Sequence, residues 1–355
     1  MGPLALKFYK DSVVIDRVLI VGLGSIGKRH LRIARQLLPH ADIRVLRHNE
    51  SDLIPEHSNG VFTSIEGVKS FLPQIAVIAN PAPFHLSVAN VLLDCRTHLL
   101  IEKPLSTSVD DVQKIIDRSQ KLGLTLSTGY NLRFLRSLQR YRALIADETI
   151  GKVLSVRCEV GQYLPSWRIN IDYRSSVSAK KELGGGALLE LSHELDYLRW
   201  IFGEVEWVKA SISRQSQLDI DVEDSVHLTI GFSSKESFFQ LIGTVNMDFI
   251  RHDATRTCIA IGSKGSLLWN GLTGEVAIHN QGDNNWIRLH EAAQDPDDSY
   301  RGEWRNFIES VNQKNRPLVD GTDGLKVLHI IKAARESAAL NGIRCAVNAA
   351  GAVLK

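Results

Sequence analysis

Hydrophobic positions in the first third of the chain switch period again and again. Val18 to Val21 form a short β-branched run, after which Ile26, His30, Leu31, Ile33, Ala34, Leu37 and Leu38 recur at roughly helical spacing. A buried strand is therefore expected to feed an amphipathic helix. The same alternation predicts strands at 18–21, 43–46, 75–79, 98–101 and 124–127, with helices near 26–38, 64–70, 84–93 and 109–121. Such alternation builds a parallel sheet with right-handed crossovers. Beyond it the pattern changes: a helix around 134–147 precedes strands at 151–160, 204–213, 225–232, 237–246, 256–262, 266–269 and 274–279. That run predicts a largely antiparallel open sheet. A packing helix over about 323–340 stops at Asn341-Gly342. Residues 1–16 read as a leader or added edge strand, and 343–355 as a small-residue tail.

The first strand-to-helix turn carries Gly22, Gly24 and Gly27 at GxGxxG spacing. Gly22 permits the tight turn, Gly24 lets bare backbone approach a pyrophosphate, and Gly27 lets helix and strand pack closely. Ser25 and Ile26 open the helix, whose amides and positive dipole end would face the phosphates. A dinucleotide cofactor, NAD or NADP, is the expected ligand. NAD-preferring turns place Asp or Glu at the end of the second strand, ~20 residues on. Here that strand ends in Arg47, which favours a 2′-phosphate and hence NADP; a solvated loop cation is the competing reading.

Two further strand ends carry candidate chemistry. Asn80-Pro81 closes the third strand, with His85 opening the following helix, and Glu102-Lys103-Pro104 closes the fourth. Ligands of open parallel sheets sit outside the carboxyl ends of the strands, so Asn80, Pro81, His85, Glu102 and Lys103 are candidate cofactor residues. The Lys103 cation suits a substrate oxygen at a hydride-transfer centre.

Composition narrows the classes. The 355 residues are 44% hydrophobic and 23% charged, with a net charge of +2, which describes an ordinary globular chain of two domains and argues against nucleic acid as partner. Cys95, Cys158, Cys258 and Cys345 form no CxxC pair, so no metal site is expected from them. No apolar run approaches the ~20 residues of a membrane span, and the expected location is the cytoplasm. Asp295-Pro-Asp-Asp298 reads as an exposed turn.

The glycine turn, Asn80-Pro81, Glu102-Lys103-Pro104 and Gly184-Gly-Gly-Ala-Leu-Leu-Glu-Leu-Ser-His193-Glu-Leu-Asp196 occur in one order. In that order they resemble the Gfo/Idh/MocA oxidoreductases over about residues 17–342. The resemblance implies an α/β Rossmann dinucleotide-binding domain, set here at 1–127. It is followed by an α+β domain with a large, mostly antiparallel open sheet, set at 128–355. It also implies an NAD(P)-dependent dehydrogenase or reductase acting on CH–OH groups, with His193 as catalytic histidine beside Lys103, and a homodimer or homotetramer formed through the second sheet. The family has an aspartate four residues before this histidine; the nearest acid here is Glu190, three before. Glu190, His193 and Asp196 are expected on one side of a single helix starting near Gly186. An imidazole between two carboxylates is suited to acid–base work.

Tyr130, Asn131 and Arg133 open the second half, and Tyr163, Trp167, Arg168 and Tyr173 lie in a long aromatic and basic connection that also holds Arg174, Lys180 and Lys181. Flat apolar faces and guanidinium groups suit a sugar, sugar acid or nucleotide sugar. Within the family, the Glu190–Trp200 wording resembles members of surface-sugar, sialic-acid-like synthesis. Two other readings stay open: a non-catalytic cofactor sensor of the same fold, which would need neither Lys103 nor His193, and a reductase of imines or non-sugar diols.

Overall fold

The computed structural model describes residues 14–47, 53–168, 171–234, 239–290 and 295–347. Six parallel strands form the first sheet: β1 (Arg17–Val21), β2 (Asp42–Leu46), β3 (Gly60–Phe62), β4 (Ile75–Ile78), β5 (His98–Glu102) and β6 (Leu126–Gly129). Their spatial order is β3-β2-β1-β4-β5-β6, the doubly wound order with a switch point between β1 and β4. The crossover helices are α1 (Ser25–Leu37), α2 (Ile65–Phe71), α3 (His85–Asp94) and α4 (Val112–Lys121). Both faces of the sheet are covered, which is why its strands read as continuous apolar runs. Leu19, Ala76, Ile78, Leu99 and Ile101 pack into one core, while Val18, Ile20, Ile43, Val45 and Val77 pack into the other.

The second half starts with α5 (Arg136–Ala146) and β7 (Val153–Gly161) and continues through α6 (Ala187–Glu190) and α7 (His193–Phe202). Then follow β8 (Val205–Ser213), β9 (Ser225–Phe232), β10 (Ile242–Asp248), β11 (Thr255–Gly262), β12 (Gly265–Asn270), β13 (Glu275–Asn280) and β14 (Ile287–His290). The chain closes with α8 (Asp298–Gln313), α9 (Gly321–Ala339) and β15 (Cys345–Ala346). Nine strands form a sheet ordered β14-β13-β12-β11-β7-β10-β9-β8-β15. Its pairings are antiparallel except β7 with β10.

An α/β Rossmann domain followed by an α+β domain with a mostly antiparallel sheet is thus what the chain forms. Several elements differ from the sequence reading. β6 runs to Gly129, so the first sheet extends two residues past the expected boundary at 127. β10 starts at Ile242, later than expected; 237 and 238, where the strand was expected to begin, lie outside the described residues. β3 and β15 are too short to announce themselves by periodicity. α8 was not anticipated because its buried face mixes Ser299, Glu303 and Ser310 with Trp304, Phe307 and Val311, which blurs the apolar stripe. It returns to the first domain, where Trp304, Phe307 and Val311 complete the second core. The turn before it, 295–298, is exposed as expected at every residue but one. Asp297 is buried, with its carboxylate held by Arg29 and Arg32 of α1. The expected leader at 1–16 and tail at 343–355 fall largely outside the described residues.

Candidate active site

The carboxyl ends of β1, β2, β4 and β5 open onto a cleft of about 1290 Å³. Gly22 adopts φ +86, and a Cβ there would lie 2.8 Å from the Asn80 amide nitrogen, so the turn presses directly on the end of β4. A Cβ on Gly27 would stand 2.1 Å from the Gly22 carbonyl oxygen; this glycine is spent on strand–helix packing and does not itself line the cleft. Gly24 differs from both. A Cβ there meets nothing within 4 Å, so the fold itself does not demand glycine at 24, and a side chain would project into open cleft. That is the geometry of a cradle kept bare for a ligand. Ser25 and Ile26 line the cleft beside it, with Lys28 and Arg29 on the next turn of α1. The site fits a dinucleotide: backbone amides and the N-terminal end of α1 would hold the phosphates.

At the end of β2, Arg47 lines the cleft and one of its nitrogens donates to the Leu53 carbonyl at 2.8 Å. Ser64 and Glu66, at the start of α2, line the same end. The next helix thus sets an acid, Glu66, in the lining of the cleft.

At the other end stand Asn80, Pro81, His85, Glu102 and Lys103, all lining the cleft. The Asn80 side-chain oxygen is buried without a partner, an acceptor left for a ligand. His85 is buried with Nδ1 3.1 Å from the Pro104 carbonyl and Nε2 2.7 Å from the Asn80 carbonyl. Burial lowers its pKa, and the ring is a strut between two turns. Glu102 accepts from the Lys103 amide and pairs with His30. Lys103 Nζ donates to the Glu190 carbonyl at 2.8 Å and lies 3.6 Å from the Glu190 carboxylate.

The single helix expected to carry Glu190, His193 and Asp196 is instead two. α6 ends at Glu190, Leu191 and Ser192 form a break, and α7 begins at His193. The three groups part company accordingly. Glu190 faces Lys103, whereas Asp196 is buried against Arg133, which grips it with two nitrogens at 2.8 and 2.6 Å. His193 is nine-tenths buried, edge-on to the Tyr130 ring, with Nδ1 unpartnered. It does not line the main cleft. Burial, then the charges of Lys103 and Arg256, drive its pKa well below the ordinary value, so the ring is neutral and able to accept a proton. The imidazole is thus tuned by two cations rather than by flanking carboxylates.

The expected substrate residues separate into two groups. Tyr130 is fully buried beneath His193 with its hydroxyl 3.4 Å from Ser192; Asn131 donates to Ser299, and Arg133 also reaches Asp323. These three tie α7, α8 and α9 together. Arg168 lines the cleft, while Trp167 and Tyr173 join it around a small adjoining hollow. The Trp167 ring is braced on Phe249, and Tyr163 stacks at 4.3 Å on His252. Sequence reading missed Tyr300 and Arg29 as cleft residues. Tyr300, Glu303, Trp304 and Phe307 at spacings of three and four were the available signal.

Comparison with known proteins agrees with this geometry. Residues 17–130 match the family model described as the NAD-binding Rossmann fold of the Gfo/Idh/MocA oxidoreductase family, and residues 142–343 match its C-terminal alpha/beta domain. A myo-inositol 2-dehydrogenase of Thermotoga maritima is 26% identical over 335 residues, covering 90% of this chain and 96% of that protein. Among solved structures, a levoglucosan dehydrogenase in complex with NADH superposes with a TM-score of 0.82 at 20% identity, covering 94% and 99% of the two chains. The WlbA dehydrogenase of Bordetella pertussis, in complex with NADH and UDP-GlcNAcA, gives 0.74 at 21% identity, covering 94% and 98%. Among the described residues, no helix is long and apolar enough to cross a membrane.

Proposed function

We propose, proceeding from the fact that this chain belongs to the Gfo/Idh/MocA oxidoreductase family, that it transfers hydride between a nicotinamide dinucleotide and a hydroxyl or carbonyl carbon of a sugar-type substrate. The observation that carries the reading is the meeting of Lys103 with Glu190 at the end of the bare-backbone cleft, next to a neutral, unpartnered His193. The bound nicotinamide supplies the hydride chemistry. The chain's own residues supply binding, orientation and proton handling. Lys103 uses one of its protons on the Glu190 carbonyl, which leaves two for a substrate oxygen and stabilises negative charge developing there. His193 accepts the hydroxyl proton on oxidation and returns it on reduction. Glu190 holds the ammonium in place.

The relatives support a polyol or sugar substrate, since the myo-inositol and levoglucosan dehydrogenases act on such molecules by name; Arg168 lines the cleft that would hold it, with Trp167 and Tyr173 around the small hollow beside it. WlbA, with UDP-GlcNAcA bound, supports the nucleotide-sugar branch of the reading. Arg47 at the ribose end favours NADP, against the competing acid Glu66. A homodimer or homotetramer through the open face of the second sheet, working in the cytoplasm, completes the reading.

Lys103→Ala tests it. Turnover is expected to fall by about 10²–10⁴ while NADH fluorescence titration still reports binding. Near-normal turnover would remove Lys103 from the chemistry, and turnover lost together with binding would reduce it to a cofactor contact.

A further inference from the structure

Behind the Glu102–Lys103 end of β5 lies a buried group that hydride and proton transfer do not use. His30 of α1, Glu102 and Glu303 of α8 place one nitrogen and two carboxylate oxygens within 4.8 Å of one another. The donor set resembles a metal centre, but Trp304 argues against one. Its indole N–H donates to His30 Nδ1 at 2.9 Å. An indole nitrogen only donates, so Nδ1 offers its lone pair and the ring proton sits on Nε2, the atom a metal would need. That proton goes to Glu102 Oε1 at 2.7 Å.

Glu102 is therefore satisfied on both oxygens, by His30 and by the Lys103 amide. Burial alone would raise its pKa; the hydrogen bond from His30 and the Lys103 charge outweigh burial and leave it lowered. Glu303 is the opposite case. It is 1% exposed, and neither carboxyl oxygen has a partner. Burial, and then the negative charge of Glu102, push its carboxyl well above the usual range. The titratable groups around it are His30 of α1, Glu102 of β5 and Tyr300 of its own helix, with Arg29 and Lys103 next to His30 and Glu102 in the chain. Of the cations, Arg29 is committed to Asp297 and stands over the Tyr300 ring, and Lys103 is committed to Glu190.

We propose that Glu303 is a proton-binding site linked to the cleft through Glu102: a neutral acid while the cleft is empty, and an ionised one when a cation beyond Lys103 enters beside Glu102. Glu102 faces both ways, lining the cleft and closing the buried cluster. A positive charge on its cleft side offsets the negative charge that holds the proton on Glu303. The cation that fits this place is the oxidised nicotinamide, so the inference rests on the cofactor reading above. The balance is simple: binding the oxidised form converts the Glu303 carboxylic acid to carboxylate and one proton leaves to solvent. A hydride, arriving with two electrons, cancels the ligand's positive charge, and a solvent proton returns to Glu303.

The test is calorimetric titration of the full chain with the oxidised and the reduced dinucleotide, in buffers of different ionisation enthalpy, which counts protons released on binding. More protons are expected with the oxidised form, and the difference is expected to vanish in Glu303→Gln. Equal counts in the wild type, or an unchanged difference in the variant, would overturn the proposal. Binding of neither form would overturn the cofactor reading and this inference with it. Should the variant not fold, infrared difference spectra of wild-type protein carrying carbon-13-labelled glutamate give the same answer. The band of a protonated carboxyl is lost on adding the oxidised dinucleotide, and its persistence would refute the linkage.

Discussion

Gly24 and Gly27 separate what the glycine turn does for the fold from what it does for a ligand. In Gly27→Ala the new methyl would sit 2.1 Å from the Gly22 carbonyl oxygen. That atom is backbone, so relief requires α1 to lift from β1. Overpacking of this kind costs about 3 kcal/mol or more, a large share of a typical stability of about 5–15 kcal/mol. In Gly24→Val the new Cβ meets nothing within 4 Å, and the backbone at φ −67, ψ −172 is extended, a conformation that valine adopts readily. Only the loss of glycine at the helix N-cap counts against it, about 1 kcal/mol at most. Yet its isopropyl group would fill the space where backbone should meet a pyrophosphate. Urea unfolding and NADH fluorescence titration on both variants decide the matter. Gly24→Val is expected to unfold near the wild-type midpoint while Kd rises about 100-fold, or about 2.7 kcal/mol; Gly27→Ala is expected to lose stability outright. Wild-type affinity in Gly24→Val would show that no phosphate approaches there.

Three more outcomes are expected. Arg47→Ala should weaken NADPH at least about tenfold while leaving NADH nearly unchanged; equal effects on both would make Arg47 a loop cation, with Glu66 the ribose contact. Arg133→Met strips the guanidinium that holds Asp196 with two nitrogens and one partner of Asp323, and should cost about 3–5 kcal/mol in urea unfolding, whereas a loss under about 1 kcal/mol would refute its role as a buried clamp. Glu303 has a raised folded-state pKa against 4.5 unfolded, so its contribution is fully present below pH 4.5 and is lost as pH climbs towards the folded value. Above pH 4.5 the unfolded carboxyl ionises while the buried one holds its proton, so the wild type loses stability as pH rises. Glu303→Gln should remove that slope and gain stability from pH 5 upward; parallel pH–stability curves for variant and wild type would refute it.

The sequence declared those parts whose chemistry forces a local pattern. Val18–Val21 had to be apolar on both sides because helices cover both faces of the sheet, and Gly22 needed positive φ against Asn80, so the turn was visible. The Lys103 site was visible because strand ends point into the cleft. What stayed hidden depends on contacts far apart in the chain. The break at Leu191–Ser192 leaves no glycine or proline signal, so Glu190 and Asp196 seemed to flank His193 when one faces Lys103 and the other Arg133, 63 residues away. α8 was invisible for a related reason: Glu303 and Ser299 face inward, and burial of a carboxyl contradicts the polarity rule by which surface is assigned.

The central claim is hydride exchange with a polyol or sugar at the Lys103–His193 site. Its most direct test is nicotinamide absorbance across a panel of inositols, free and anhydro sugars, sugar acids and nucleotide sugars, with wild type and His193→Ala run side by side. The account predicts turnover on members of that panel, falling by about 10²–10⁴ in the variant while NADH binding is kept. Dinucleotide binding without turnover on any member, or undiminished turnover in His193→Ala, would contradict it.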